Sequence, residues 1–122
     1  MPSAAHILIA EDHAAVRNLL TNVVARTYPS CTITAVANGA EALAVFQARG
    51  ADLLITDHAM PIMTGLALVQ VLRAQQSTVP TLVISMSIAI KQIVLQAGAD
   101  SFLAKPFAIH ELQHTLVDLL PP

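Results

Sequence analysis

His6-Ile7-Leu8-Ile9-Ala10-Glu11-Asp12 is a short apolar run that stops abruptly at two acids. Such a run is too short for a stable helix. Its lack of alternation suits a strand covered on both faces, as in the middle of a parallel sheet. Downstream, Val16, Leu19, Leu20, Val23 and Val24 recur at i, i+3, i+4, i+7 and i+8, the stripe of a helix laid on that sheet, with Pro29 beyond its end.

The alternation then repeats. Thr32–Val36 reads as a strand, and Gly39–Arg49 as a helix with Asn38 as its N-cap and Gly50 as its stop. Residues 52–56 form the expected third strand, 65–75 a helix with Leu66, Val69 and Leu72 inward, and Thr81–Ser85 the fourth strand after Pro80. A short apolar helix over 89–97 and a fifth strand over Ser101–Ala104 follow. The last helix, over 107–120, has Pro106 at its start and Ile109, Leu112, Leu116 and Leu119 facing the core. Five strands alternating with five helices predict an α/β fold, a doubly wound parallel sheet with helices on both faces. Ligands of such sheets sit beyond the carboxyl ends of the strands.

The 122 residues fit one domain, read as spanning 1–122. Hydrophobic residues make up 55% and charged residues only 11%, against roughly 25% charged in ordinary domains, so some apolar surface is expected to be exposed. A net charge of −2, six scattered Lys and Arg, and few aromatic residues argue against nucleic-acid binding. The apolar stretch 80–95 is broken by Ser85, Ser87, Lys91 and Gln92 and falls short of the ~20 residues of a membrane span. Met1-Pro2-Ser3-Ala4-Ala5-His6 lacks the basic and apolar segments of a signal peptide. The expectation is therefore a cytoplasmic protein that this domain opens. Cys31, the single cysteine, has no intrachain partner and reads as a packed thiol.

The expected carboxyl ends collect Glu11 and Asp12 after the first strand, Asp57 after the third, Ser85 at the end of the fourth and Lys105 after the fifth. Three carboxylates in a partly desolvated pocket repel one another unless a cation intervenes. Few oxygen ligands with room for water suit Mg²⁺, with Asp12 and Asp57 as direct ligands. A carboxylate can also attack phosphorus to give an acyl phosphate, provided metal, ammonium and hydroxyl groups neutralise the equatorial oxygens. Lys105 and Ser85 fit those donor roles.

In this order, Glu11-Asp12, Asp57-His58-Ala59-Met60-Pro61 with Gly65, Ser85, Gly98-Ala99-Asp100, Phe102 and Lys105-Pro106 resemble a response-regulator receiver domain of two-component signalling, similar to the single-domain chemotaxis regulators. The resemblance covers nearly the whole chain. It implies a flavodoxin-like strand order 2-1-3-4-5 and phosphorylation of Asp57 by a histidine kinase, a phosphotransfer protein or a small phosphodonor. It further implies Mg²⁺, or Mn²⁺ in its place, held by Glu11, Asp12, Asp57 and the main-chain carbonyl of Ala59. Lys105 and Ser85 would stabilise the phosphoryl group. Ser85 and Phe102 would switch, altering a face of helix 4, strand 5 and helix 5 that contacts an effector or a second copy. A cis Lys105-Pro106 bond is also implied. Such a domain is no enzyme in the ordinary sense, although it assists its own phosphorylation and dephosphorylation.

The stretch from Ser85 to Gly98 is shorter than is usual in receivers, which predicts a trimmed entry into the fourth helix. Ile88, Ile90, Ile93, Val94 and Leu95 cannot share one inward stripe; positions 88, 90 and 95 spread around a helix while 90, 93, 94 and 97 share a face, so some of these side chains point outward. Two rival readings remain. One is a receiver-shaped scaffold that does not switch. The other is a zinc hydrolase built on His110-Glu111-Leu112-Gln113-His114, an H-E-x-x-H pattern with both histidines one turn apart. Only eight residues follow His114, leaving no room for a downstream third ligand. His58, beside Asp57, is a candidate for tuning the pocket's response to pH.

Overall fold

The computed structural model describes residues 4–122; the reading of Met1, Pro2 and Ser3 lies outside the described residues. The strands are β1 (His6–Ala10), β2 (Thr32–Val36), β3 (Leu53–Asp57), β4 (Thr81–Ser85) and β5 (Ser101–Ala104). The helices are α1 (Ala14–Thr27), α2 (Gly39–Arg49), α3 (Gly65–Ala74), α4 (Lys91–Ala97) and α5 (Ile109–Leu119). All strand pairs are parallel, in the order β2-β1-β3-β4-β5. The expected doubly wound sheet and its strand order are therefore present.

Every residue of β1, β3 and β4 is buried, which is why these strands read as unbroken apolar runs. One face of the sheet, with Ile7, Ile9, Ile55 and Ile84, packs against Leu20, Val23 and Val24 of α1 and Leu112 and Leu116 of α5. The other face packs Leu8 and Leu54 against α2 and α3, and Val83 against Val69 of α3 and Val94 of α4. Local chemistry sets the helix starts. Asn38 accepts from Glu41 N–H at 2.9 Å, and Thr64 accepts from Ala67 N–H at 3.2 Å. Among the described residues no helix is long and apolar enough to cross a membrane.

The structure corrects several details. β3 begins and ends one residue later than expected, so Asp57 closes the strand and pairs with Ile84. Leu19 and Ile109 lie on the exposed flanks of their helices, although each fits the apolar spacing. α5 starts at Ile109, past Pro106, because Glu111 reaches back to accept from Ala108 N–H at 2.8 Å and fixes the first turn there. The entry to α4 is a 3₁₀ turn over Ile88–Ile90, and α4 itself has seven residues. Val94 alone is fully buried in it. Ile90, Leu95 and Ala97 pack at the edge of the core, and Ile93 points outward instead of sharing the inward face.

Tyr28, just past α1, ties that helix to the end of α5: its Oη lies 2.8 Å from Leu116 O and 2.7 Å from Leu120 O, and one hydroxyl proton serves both carbonyls. Burial, with a smaller effect of Cys31, pushes the phenol from 10.0 up to about 12. Folding therefore favours the neutral phenol. The resulting stability is complete below the ordinary value and is lost as pH rises through about 12. Tyr28 is the only tyrosine and the chain has no tryptophan, so an ultraviolet absorbance titration reads this group alone, and its midpoint is expected near 12 in the folded chain. Tyr28→Phe should cost about 1–2 kcal/mol in urea unfolding at neutral pH, because two carbonyls lose their shared donor, and it should flatten the alkaline loss of stability.

Candidate functional site

The register brings the ends of β1, β3, β4 and β5 to one edge of the sheet, and the residues named from sequence gather there. Glu11 is fully buried directly after β1, Asp57 ends β3 and Ser85 ends β4. Lys105 directly follows β5 and is joined to Pro106 by a cis bond, its main-chain N–H donating to Ser85 O at 2.9 Å. Its ammonium reaches back over the edge, donating to Glu11 Oε1 at 2.9 Å and standing 3.3 Å from Asp57 Oδ1. One cation thus joins two carboxylates from different strands.

Burial raises the Asp57 carboxyl above its usual range, and the negative charge of Glu11 adds to this. Lys105 and the His58 N–H, which donates to Asp57 Oδ1 at 2.9 Å, offset only part of it. Burial alone would lower Lys105, but the hydrogen bond to Glu11 and the charges of Asp57 and Glu11 outweigh it, leaving the ammonium above its ordinary 10.5. Asp57 Oδ1 is engaged twice, whereas Oδ2 has no hydrogen bond among the described residues and is not sealed from solvent.

Asp12 carries the second distinctive feature. Its Oδ1 is buried with no hydrogen-bond partner, a costly arrangement for a carboxylate unless a cation completes it. Glu11, Asp12 and His13 place ligand atoms within 4.8 Å of one another. The carboxylate oxygens of Glu11 and Asp12 suit a hard divalent ion, so these two residues fit Mg²⁺, while His13 adds only an exposed nitrogen at the rim. Asp57 lies outside that tight group and joins it through Lys105 and Glu11.

His13 is the residue that sequence reading missed. Its N–H donates to Glu11 Oε2 at 3.1 Å and its Nδ1 stands 3.6 Å from Asp12 Oδ1; its position directly after the acidic pair was the available signal. Arg17 Nη1 donates to Glu11 O at 2.8 Å and fixes the β1 exit against α1.

Ser85 Oγ accepts from Ser87 N–H at 3.0 Å, which leaves its hydroxyl proton free to donate. Phe102 is half-buried on β5, opposite Val83 and against the cluster of Val69, Val94 and Ala99. Ala59 is exposed on the loop after Asp57. The ring of His58 is drawn to the start of α3, where Nδ1 accepts from Leu66 N–H at 3.3 Å, so it serves the helix start. His110, Glu111 and His114 lie on exposed α5, and Glu111 spends its carboxylate on the helix start. They join no group of three metal-ligating residues among the described residues, and nothing there supports a hydrolase.

The loop from Asp57 to α3 is tight. A Cβ on Gly65 would stand 2.5 Å from Asp57 O, so only glycine fits there. Within the loop Met63 N–H donates to Pro61 O at 2.7 Å around Ile62, whose φ is 70°. A β-branched residue in this region is strained, and Ile62 is 83% exposed, so burial does not compensate.

Comparison with known proteins agrees with this geometry. The family pattern described as "Response regulator receiver domain" matches residues 7–117. The chain is 34% identical over 108 residues to the response regulator MprA of Mycobacterium ulcerans, covering 87% of this chain and 46% of that protein. It is 31% identical over 120 residues to the transcriptional regulatory protein TrcR of Mycobacterium tuberculosis, covering 97% and 46%. The chain thus spans about half the length of the curated relatives it matches. Among solved structures, a putative response regulator from Chloroflexus aurantiacus superposes with a TM-score of 0.87 at 28% identity, covering 98% and 99% of the two chains. The chemotaxis response regulator CheY4 of Vibrio cholerae superposes at 0.85 with 30% identity, covering 96% and 99%.

Two stability measurements check the site. Because the Asp57 carboxyl is raised, its ionised form opposes folding at neutral pH. In metal-free buffer Asp57→Asn should therefore stabilise the chain, a gain that fades as pH falls and the wild-type carboxyl takes up its proton. Ile62→Gly should also stabilise, by about 0.5–1 kcal/mol, since the relief of strain exceeds the added backbone entropy. Urea unfolding reads both.

Proposed function

Since the chain belongs to the response-regulator receiver domains, we propose that Asp57 accepts a phosphoryl group from a histidine kinase or phosphotransfer protein. The observation that carries the reading is the Lys105 bridge to Glu11 and Asp57, beside an Asp57 Oδ2 left open. Oδ2 is the attacking atom: it forms a P–O bond as the donor's phosphoimidazole P–N bond breaks, the imidazole leaves and takes up a proton, and an acyl phosphate remains. Lys105 then has a new anion within reach and trades part of its pairing with Glu11 and Asp57 for it. Ser85 donates its free hydroxyl proton to the same group.

Glu11, Asp12, Asp57 and the carbonyl of Ala59 would hold Mg²⁺, with Mn²⁺ able to substitute. Bound there, the ion supplies positive charge to the phosphoryl oxygens. Asp12 is the strongest candidate, having the buried unpartnered oxygen. The chain acts as a signalling domain that assists its own phosphorylation and dephosphorylation, in the cytoplasm and without contacting nucleic acid.

The route outward in this reading runs through Ser85 and Phe102 to the face of α4, β5 and α5. Ile93 of α4 and Ile109 and Val117 of α5 are exposed, and in the segment entering α4 Met86 is 81% and Ile88 65% exposed, part of the apolar surface expected from composition. Exposed apolar side chains of this kind suit a protein contact, here an effector or a second copy.

With Mg²⁺ and acetyl phosphate as donor, the wild-type chain should form an acid-stable, base-labile phosphoprotein, and Asp57→Ala should form none. Beryllofluoride with Mg²⁺ should shift the amide resonances of Asp57, Ser85 and Phe102 in the wild type only. Lys105→Ala should bind Mg²⁺ yet lose most of the phosphorylation rate. Continued phosphorylation of Asp57→Ala would sink the assignment.

A further inference from the structure

The chain has five histidines, and three are committed. Both ring nitrogens of His6 are bonded, Nδ1 to Gly50 O at 2.7 Å and Nε2 to Thr34 Oγ1 at 2.8 Å. His13 faces Glu11 and Asp12, and His58 accepts from Leu66. The remaining two, His110 and His114, are exposed and carry no hydrogen bond or ion pair among the described residues. Both lie on α5, four residues apart. At that spacing their Cβ atoms are roughly 6 Å apart on one helix face, so two imidazoles can close on one ion at the usual metal–nitrogen distance of about 2.0–2.1 Å.

The surroundings favour a cation. α5 contains no Lys or Arg, and Glu111 and Asp118 are exposed on the same helix, both to one side of the pair. Glu111 itself stays at the helix start, its Oε1 held by Ala108 N–H at 2.8 Å, so the pair is a chelate without a general base. We propose that His110 and His114 form a surface site for a single borderline-soft divalent transition ion, Zn²⁺, Cu²⁺ or Ni²⁺, with two protein ligands and the remaining positions filled by water or an incoming group. Imidazole donors select these ions over Mg²⁺, so the site is chemically distinct from the carboxylate cluster at the sheet edge. It clasps the first two turns of α5 and is independent of phosphorylation at Asp57.

Pulsed electron paramagnetic resonance with Cu²⁺, in excess Mg²⁺, tests this by counting coordinated imidazoles. The carboxylate cluster can offer only His13, so a two-imidazole signal identifies the α5 pair. The first equivalent of Cu²⁺ should show two imidazoles. His110→Gln or His114→Gln should reduce this to one and weaken Zn²⁺ binding in calorimetry about tenfold or more, while His13→Gln leaves the signal unchanged. Both α5 positions are exposed, so circular dichroism should confirm that the variants keep their fold, and acetyl phosphate should still phosphorylate His114→Gln. A first equivalent bound by one imidazole or none, or a two-imidazole signal that persists in the H110Q/H114Q double variant, overturns the proposal.

Discussion

The site depends on one buried ion pair with an imbalance built into it. Lys105 supplies a single positive charge to Glu11 and Asp57, and Asp12 stands close by with an unpartnered buried oxygen. A network designed for stability alone would match its charges, since an uncompensated buried carboxylate is expensive. The excess negative charge therefore points to use: the pocket has room for the positive charge that a divalent ion would bring, and the Asp57 carboxyl is raised by burial first and by Glu11 second.

The fold exists in the form needed to hold this imbalance. Parallel strands with helical crossovers put every carboxyl end on one side, so residues far apart in the chain, Glu11 and Lys105 among them, meet by register alone. The core absorbs the cost of the site. Ile7 to Ala10, Leu53 to Ile55 and Leu82 to Ile84 are almost wholly removed from water, with helices on both faces, each apolar side chain contributing about 1.5–3 kcal/mol of burial. The loop after Asp57 carries local strain of its own at Ile62. Strain and charge repulsion thus sit together beyond β3, backed by the most deeply buried strands of the sheet.

Most of this was legible because it rests on short-range pattern. Unbroken apolar runs ending in acids identified β1 and β3, and Asn38, Gly50 and Pro80 marked boundaries the structure keeps. Glu11, Asp12, Asp57, Ser85 and Lys105 were found together because each follows or closes a strand. What escaped depends on tertiary placement. Leu19 and Ile109 satisfy helical spacing, but the sheet covers only part of each helix and leaves them at its border. His13 is one of five histidines spread along the chain, and a sequence does not reveal that the turn after β1 folds its ring toward Asp12. The commitment of Glu111 to the start of α5 was equally hidden, and it removes the apparent peptidase motif.

α4 was the element least readable from sequence, and its two ends are held very differently. At the end remote from the site, Arg73 donates from Nε and Nη2 to Gly98 O at 3.0 and 2.9 Å. It also reaches Ser77 O and Val79 O and pairs with Asp100, which accepts in turn from Thr81 N–H. Gly98, at φ 117°, leaves the space this arginine occupies. At the end nearer Ser85, the 3₁₀ turn has no buried residue and Ile90 gives the helix no side-chain cap. A guanidinium shared among several carbonyls is hard to displace, whereas an uncapped turn exposing Ile88 has little to lose by rearranging. Arg73 thus fixes the far end of α4, while the end nearer Ser85 is the less constrained of the two, the one on which a charge gained at Asp57 would act in the proposed reading. The exposed Ile88 of the 3₁₀ turn and Ile93 of α4 therefore lie toward the less firmly held end, away from the anchor at Gly98.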